Sequence, residues 1–394
     1  MRVVCVAACR LLRCGRCGEE RYCGKACQVH AWKAWHRREC GSLGRLGAAA
    51  ERVDAAAAER VDAATATQAI LLGRAARLAA ADAGAAARVA AIRPSVSNSE
   101  ARVHARSRAL ALARQVRLLP EDGELADDEA LLRLLATFDS NNFGVLDSDE
   151  GLATQKTVAA ALCPEGAMLN HSCEPTCFLS YASPPEGADR CGRDQVFRCL
   201  HAVATGAELT HCYVDAEAPF AERQAALMED YGFTCECTRC QREAAQEGAA
   251  GDREAVRAAL AAFETAALED DPVEELRSLR GALAMLAGRE SAAASAMALR
   301  IGDAEAVTAL AVGEMRDAAA AYERQATLRE RFHAPGHPRI ATDRAAAVAA
   351  LFAEGDLAAA RQLVASAADD LALGLGERHP YAAAMRHAAA EFGA

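Results

Sequence analysis

Eight residues of the metal-ligating kinds crowd into the first forty positions: Cys5, Cys9, Cys14, Cys17, Cys23, Cys27, His36 and Cys40. Zn²⁺ takes four such donors in a tetrahedron, so eight suffice for two ions. The C-x2-C at Cys14 and Cys17 and the C-x3-C at Cys23 and Cys27 each form a loop short enough to bring two thiolates to one ion. His30 is left as a spare. A second cluster, Cys235, Cys237 and Cys240, follows far downstream as C-x-C-x2-C. Three thiolates leave a closed structural site one donor short.

The chain has sixteen cysteines, seven between Cys5 and Cys40, nine between Cys163 and Cys240, and none beyond. Disulfides would need an oxidising compartment, and the opening MRVVCVAACRLLRC offers only a short apolar run holding two Cys, without the pattern of a secretory signal. No later stretch approaches the ~18 apolar residues of a membrane span. The expectation is reduced thiols in a protein of the cytoplasm or nucleus, with no membrane partner. Residues 1–40 carry nine Arg or Lys against three Glu, a net +6, which leaves −17 for the rest of a chain at −11 overall. An acidic body is repelled by phosphate, so direct nucleic-acid binding is not expected.

The surrounding sequence divides the chain. Hydrophobic residues make up 52% but aromatics only 5%, so alanine carries much of the apolar count and helix should dominate. Residues 41–140 read as a helical connector of Ala, Arg and Leu, interrupted near Pro94. Residues 141–240 carry β-branched and aromatic residues between turn signals, in NNFGVL, QVFRCLHAVATGAELTHCYVD and YGFTCECTRC, and predict short strands with little helix. Helical pattern returns over 250–394. There Gly313 repeats as Gly355 and His337-Pro338 as His379-Pro380, a period of 42 that suggests stacked helical hairpins of the tetratricopeptide kind.

The segment YCGKACQVHAWKAWHRREC resembles the second half of a MYND zinc finger, with its Tyr-Cys, Cys-Gln, Trp32 and closing His36-x3-Cys40. The resemblance implies interleaved sites, Cys5, Cys9, Cys23 and Cys27 on one zinc and Cys14, Cys17, His36 and Cys40 on the other. It also implies a protein-interaction module over residues 1–40, in some members for proline-rich peptides.

Downstream, NHSCEPT at Asn170–Thr176 resembles the NHSC-x-P-N signature of SET-domain lysine methyltransferases. GAELTHCYVD and YGFTCECTRC then follow in the order found in the SET and MYND domain family. The resemblance implies an α+β protein with a MYND finger (1–40), a helical connector or SET insert (41–140), a SET core (141–218), a post-SET zinc segment (219–242) and an all-α lobe of TPR-like repeats (250–394) that covers the substrate cleft. Asn170 and His171, with Phe233 and Asn141, are implied to hold S-adenosylmethionine, and Tyr213 and Tyr231 to line the lysine channel as the catalytic pair. Cys173 becomes the fourth ligand of a third zinc, with Cys235, Cys237 and Cys240. Cys163, Cys177, Cys191, Cys199 and Cys212 are expected as buried small hydrophobes. No chemistry is expected of His201, His211, His337 or His379.

Methyl transfer from a sulfonium to an amine needs alignment and a neutral amine more than a strong base, and aromatic faces suit a cationic sulfonium. Family members place a strand-rich segment ahead of the finger, whereas four residues precede Cys5 here, so an incomplete SET domain is expected. Two functions follow: an S-adenosylmethionine-dependent protein-lysine N-methyltransferase acting on a histone or other protein, and a non-catalytic zinc-binding adaptor that keeps the SET scaffold.

Overall fold

The computed structural model describes residues 12–22, 24–51, 62–94, 100–119, 127–146, 157–182, 194–246 and 250–392. The described residues open with two antiparallel two-residue strands, β1 (Leu12–Arg13) and β2 (Arg21–Tyr22), joined by a knuckle that carries Cys14 and Cys17. Gly18 sits at φ +74°, a left-handed conformation that lets the knuckle close and that side-chain-bearing residues seldom adopt. Helix α1 (Lys25–Ala31) runs through a π-helical turn at Trp32–His36 into α2 (Arg37–Glu51). Tyr22, Ala31, Cys14 and Cys40 are buried together, with Trp32 and Trp35 packed against them. That is little apolar volume for a core, as in small domains organised by metal.

Helix α2 does not stop where the finger was expected to end. It continues past Cys40, and Leu43 and Leu46 enter a core shared with α3 (Ala63–Ala81), α5 (Glu100–Gln115) and α6 (Asp128–Asn141). Leu72, Ala76, Leu110, Leu112, Leu131, Leu135 and Phe138 supply its bulk. The segment expected as a connector is therefore a packed helical layer, because its apolar residues recur on one face of each helix. Gly73 of α3 packs so tightly that a Cβ there would stand 2.7 Å from the carbonyl oxygen of Leu118. The short helix α4 (Ala83–Ala91) follows α3.

The described residues of the next region form six short strands: β3 (Asn142–Leu146), β4 (Thr157–Leu162), β5 (Asn170–His171), β6 (Cys177–Ala182), β7 (Asp194–Cys199) and β8 (Thr210–His211). β3 pairs with β4 and β6 with β7, both antiparallel, while β5 and β8 pair in parallel. Among the described residues no sheet exceeds two strands. More helix follows than the aromatic content suggested, in α7 (Phe220–Tyr231) and α8 (Thr238–Gln246). PFAERQAALMEDYG holds a helical stop signal that outweighs the β-formers around it: Gly232 ends α7 at φ +76°.

Seven helices complete the chain: α9 (Ala250–Ala266), α10 (Pro272–Ala284), α11 (Ala292–Ala311), α12 (Met315–Arg329), α13 (Pro338–Glu354), α14 (Leu357–Leu375) and α15 (Pro380–Phe392). The 42-residue period has a physical basis. Gly313 and Gly355 take φ of +84° and +86° at the turns before α12 and α14. Pro338 and Pro380 open α13 and α15, and before each a histidine Nδ1 accepts a backbone N–H, from Arg339 for His337 and from Tyr381 for His379. Buried alanines at 318, 319, 347, 350, 360 and 368 allow close approach of neighbouring helix axes. No helix among the described residues is long and apolar enough to cross a membrane.

Candidate metal centres and aromatic cluster

Four ligand-type side chains converge in the finger: Cys14, Cys17, His36 and Cys40 place their donor atoms within 4.8 Å of one another. His36 and Cys40 are four apart and point the same way on a helical path, while the knuckle supplies the other two. Zinc bonds of ~2.3 Å to sulfur and ~2.05 Å to nitrogen put tetrahedral ligands ~3.8 Å apart for two sulfurs and ~3.6 Å for nitrogen and sulfur. The Cys14 and Cys40 Sγ atoms are 3.9 Å apart, and His36 Nε2 lies 3.3 Å from Cys14 Sγ and 3.6 Å from Cys17 Sγ. The donor set fits zinc.

Behind His36 stands Glu39, 3.8 Å from Nδ1 and held by Arg74 at 2.6 Å, with Arg77 at 3.7 Å. Burial resists ionisation of Glu39, yet the neighbouring His36 ring, the hydrogen bonds from Arg74 and the charge of Arg77 prevail and hold it down to about 2. A carboxylate behind a histidine ligand orients the ring and raises its donor strength. Of the other expected finger ligands, Cys27 lies half-buried in α1, and Cys5, Cys9 and Cys23 lie outside the described residues.

The second cluster joins Cys173 to Cys235, Cys237 and Cys240, again within 4.8 Å, across more than sixty residues of sequence. The Cys173 and Cys240 sulfurs are 3.5 Å apart. Hydrogen bonding with Cys173 pulls the Cys237 thiol down from its ordinary value. Gln224 of α7 clamps the C-x-C loop through both backbone groups of one residue: its amide nitrogen donates to Cys235 O and its amide oxygen accepts from Cys235 N–H, each at 2.9 Å.

Sequence reasoning missed Arg223. It is 1% exposed, donates from Nε to Cys173 Sγ at 3.3 Å and reaches Cys240 Sγ at 3.8 Å. Its other bonds go to Glu243 and to Ala218 O, both at 2.6 Å. A lone Arg in an amphipathic helix carries no spacing signal, and only the fold shows that it faces sulfur.

The thiolate cluster fastens together two pieces of an aromatic cluster. On one side are β5, with Asn170 and His171, and β8, leading into Tyr213; on the other, α7 ends at Tyr231 and the left-handed Gly232 swings Phe233 back. The Tyr213 and Tyr231 ring centres are 4.8 Å apart, and His171 lies 5.2 Å from Tyr213 and 6.0 Å from Phe233. Tyr213 Oη donates to Leu169 O at 2.6 Å. Burial, with Tyr231 and Glu208 nearby, pushes Tyr213 up to about 12.

His171 is committed at both ring nitrogens. Nδ1 accepts from Tyr213 N–H at 2.9 Å, which places the proton on Nε2, and that N–H faces Cys173 Sγ at 3.3 Å. Burial pushes its pKa down to about 4, so the ring is neutral. Asn170 is exposed and donates to Glu208 at 2.6 Å. Asn141 ends α6, and its amide nitrogen donates to the carbonyls of Arg93 and Thr137 and to Ser140 Oγ rather than toward the rings.

His211, expected to do nothing, belongs to the cluster. It sits opposite His171 in the β5/β8 register, and its ring lies 4.8 Å from Tyr213, 5.2 Å from Phe197 and 5.7 Å from Phe143. Its two-residue offset from Tyr213 in a strand-like segment is the signal that could have found it. The remaining cysteines match the expected burial only in part. Cys177 is buried, Cys163 and Cys212 are half-buried, Cys199 is exposed, and Cys191 lies outside the described residues.

The helical lobe is tied to this region by charge. Glu217 accepts from Arg329 Nε at 3.0 Å and pairs with His333 Nε2 at 2.6 Å and Arg339 at 3.3 Å. Arg329 also binds Asp303 and Asp343, and the Arg239 guanidinium lies 5.0 Å over the Phe332 ring.

A finger built on Cys and His, a helical layer, a thiolate-pinned aromatic cluster and a lobe of helical hairpins define a zinc-binding protein of mixed α and β structure. Residues 4–40 match the model of the MYND finger family. The chain is 26% identical over 239 residues to the histone-lysine N-methyltransferase SMYD3 of Mus musculus, covering 59% of this chain and 49% of the relative. It is 31% identical over 117 residues to the N-lysine methyltransferase SMYD2-B of Danio rerio, covering 30% and 24%, and 31% identical over 112 residues to the histone-lysine N-methyltransferase ASHR2 of Arabidopsis thaliana, covering 28% and 27%. The chain is thus similar to SMYD-type proteins, and it spans about half the length of its SMYD3 relative.

Proposed function

We propose that this chain is a protein-lysine N-methyltransferase that uses S-adenosylmethionine. The observation that carries the reading is the meeting of His171, Tyr213, Tyr231 and Phe233 in one ring cluster, with its two halves joined at Cys173, Cys235, Cys237 and Cys240. Histone-lysine and N-lysine methyltransferase activities are named for relatives of this sequence.

S-adenosylmethionine supplies a methyl group on a cationic sulfonium. Its polar ends would be held by Asn170, an exposed side chain whose amide nitrogen would exchange its Glu208 partner, and by the main chain beside His171, whose ring nitrogens are taken. Asn141 is the lesser contact, since its amide nitrogen is used within the fold. Phe233 and the face of His171 offer electron-rich surface to positive charge. The lysine would run alongside the Tyr213 and Tyr231 pair, whose ring edges and hydroxyls favour an aligned aliphatic chain ending in an amine. Tyr213 remains a phenol at neutral pH, so it orients through its oxygen lone pairs and is not the base. Removal of water beside these rings favours the neutral amine that in-line displacement needs.

Three zinc ions complete the reading: Cys5, Cys9, Cys23 and Cys27 hold one, Cys14, Cys17, His36 and Cys40 the second, and Cys173 with the three later cysteines the third. The reduced thiolates these sites need fit the cytoplasm or nucleus. The finger serves as a docking module for a protein partner, with proline-rich peptides as the first class to test, and the helical lobe borders the substrate cleft. Calorimetric titration of the zinc-loaded chain with S-adenosylmethionine and with its demethylated product tests the reading. Saturable heat with both is expected. Absence of binding to either would leave the chain a zinc-binding adaptor.

A further inference from the structure

Cys177 and Cys199 stand directly opposite one another on β6 and β7, with their Sγ atoms 3.6 Å apart. Neither belongs to the two thiolate clusters. The next pair along, Thr176 and Leu200, is hydrogen-bonded, because Leu200 N–H donates to Thr176 O at 3.3 Å. Bonded and non-bonded pairs alternate along an antiparallel ladder, so Cys177 and Cys199 form a non-bonded pair, the kind with Cα atoms ~4.5 Å apart and side chains closest. A disulfide accepts Cα separations of ~4.4–6.8 Å and closes at ~2.05 Å between sulfurs. The sulfurs must therefore approach by ~1.5 Å, which rotation about the two Cα–Cβ bonds can supply while the strands stay paired.

Access divides the pair into two roles. Cys199 is exposed and can meet a reagent in solution, whereas Cys177 is 2% exposed and can meet only its neighbour. The hairpin end is also held in place from the other side, since Thr210 N–H of β8 donates to Thr176 Oγ1 at 2.8 Å. The thiols of the metal clusters differ in that ligation would withdraw them from exchange.

We propose that Cys199 and Cys177 form a thiol–disulfide exchange site that takes a small disulfide of the oxidised-glutathione class. The Cys199 thiolate attacks one sulfur of the reagent, forming a mixed disulfide and expelling the first small thiolate. Cys177 gives its proton to solvent, its sulfur attacks Sγ of Cys199, and the second small thiolate leaves as the Cys177–Cys199 bond closes. One small disulfide is reduced to two thiols while two protein thiols are oxidised to one disulfide.

The test uses the full zinc-loaded chain exposed to oxidised glutathione, quenched by acid alkylation and mapped by tandem mass spectrometry, with zinc content measured alongside. The expected wild-type product is the Cys177–Cys199 linkage at unchanged zinc content. Cys177→Ser should lose that linkage and accumulate glutathione on Cys199, because the mixed disulfide has no second thiol to resolve it, and Cys177→Ala serves equally if the serine disturbs folding. Cys199→Ser should show neither linkage nor adduct at Cys177. The proposal is overturned if the wild-type chain, zinc retained, forms no such linkage, or if the linkage is no more frequent folded than in urea. It is also overturned if both Cys177 variants leave Cys199 unmodified.

Discussion

Arg223→Met tests whether the third metal site depends on a charge placed behind its ligands. Four thiolates around Zn²⁺ carry a net −2, and the Arg223 guanidinium offers N–H groups to two of them, at 3.3 Å to Cys173 and 3.8 Å to Cys240. Loss of such an outer partner lowers metal affinity ~10–100-fold, or ~1.4–2.8 kcal/mol. The second consequence is a buried carboxylate, Glu243, deprived of one partner. Removing one member of a buried pair typically costs ~3–5 kcal/mol, but Arg239 still holds Glu243 at 2.6 Å, so the lower end applies. Methionine fills similar volume and keeps the cavity from collapsing. Lysine at the same position should fall between, keeping charge but not the fork that reaches sulfur and carboxylate together. The assay is competitive release to a chromophoric chelator at fixed pH, read as zinc released per chain against chelator concentration. One ion per chain should move to weaker binding by ~10–100-fold while the finger ions stay in place. An unchanged release curve, or an equal shift of every ion, would refute the reasoning.

Glu217, at the junction with the helical lobe, is buried, which resists its ionisation, but the His333 hydrogen bond and the charges of Arg339 and Arg329 hold it at about 2 against an ordinary 4.5. Its ionised form is thus favoured in the folded state by ~3 kcal/mol, a contribution present above pH ~4.5 and lost as pH falls toward ~2. Denaturation of wild type and Glu217→Gln should show a stability gap that narrows from pH 6 to 3; a constant gap counts against it. Gly73→Ala should lower stability by ~1–3 kcal/mol despite the better helix propensity of alanine, because its Cβ would stand 2.7 Å from Leu118 O. A higher urea midpoint for that variant would show the contact to be slack. Tyr213→Phe loses the 2.6 Å bond to Leu169 O, worth ~1 kcal/mol. It should bind S-adenosylmethionine as wild type does yet transfer methyl more slowly; unchanged single-turnover rates would remove Tyr213 from the reading.

The metal centres were legible in the sequence to the degree that their ligands are local. C-x2-C and His36-x3-Cys40 announce themselves because short loops and one helical turn fix where donors point. Cys173 lies far from its partners: the count showed only that three thiolates want a fourth, and it was the resemblance of NHSC to the family signature that pointed to Cys173. Tyr213, Tyr231 and Phe233 were legible only as a joint pattern, since each alone reads as a core aromatic. Arg223 and the Glu217–Arg329 pair were not legible. Their partners come from helices and strands brought together by folding, 112 residues apart for Glu217 and Arg329, and no spacing encodes that. Gly41, Gly44 and Gly47 likewise look like a boundary in sequence but lie inside α2, where a Cβ on Gly44 would already touch Cys17.

The unbroken helical run from His36 through Cys40 of α2 to Leu43 and Leu46 makes the finger part of the main architecture. A chelator that empties the Cys14, Cys17, His36 and Cys40 centre frees the first turn of α2, and the two turns after it carry two leucines that are almost fully buried. Glu39, clamped by Arg74 and Arg77 of α3, would lose its histidine neighbour at the same time. Metal starvation of this protein should therefore end in precipitation and proteolytic cutting near residue 40, not in a quiet loss of one docking surface, and the cell's zinc supply would set how much of the chain survives.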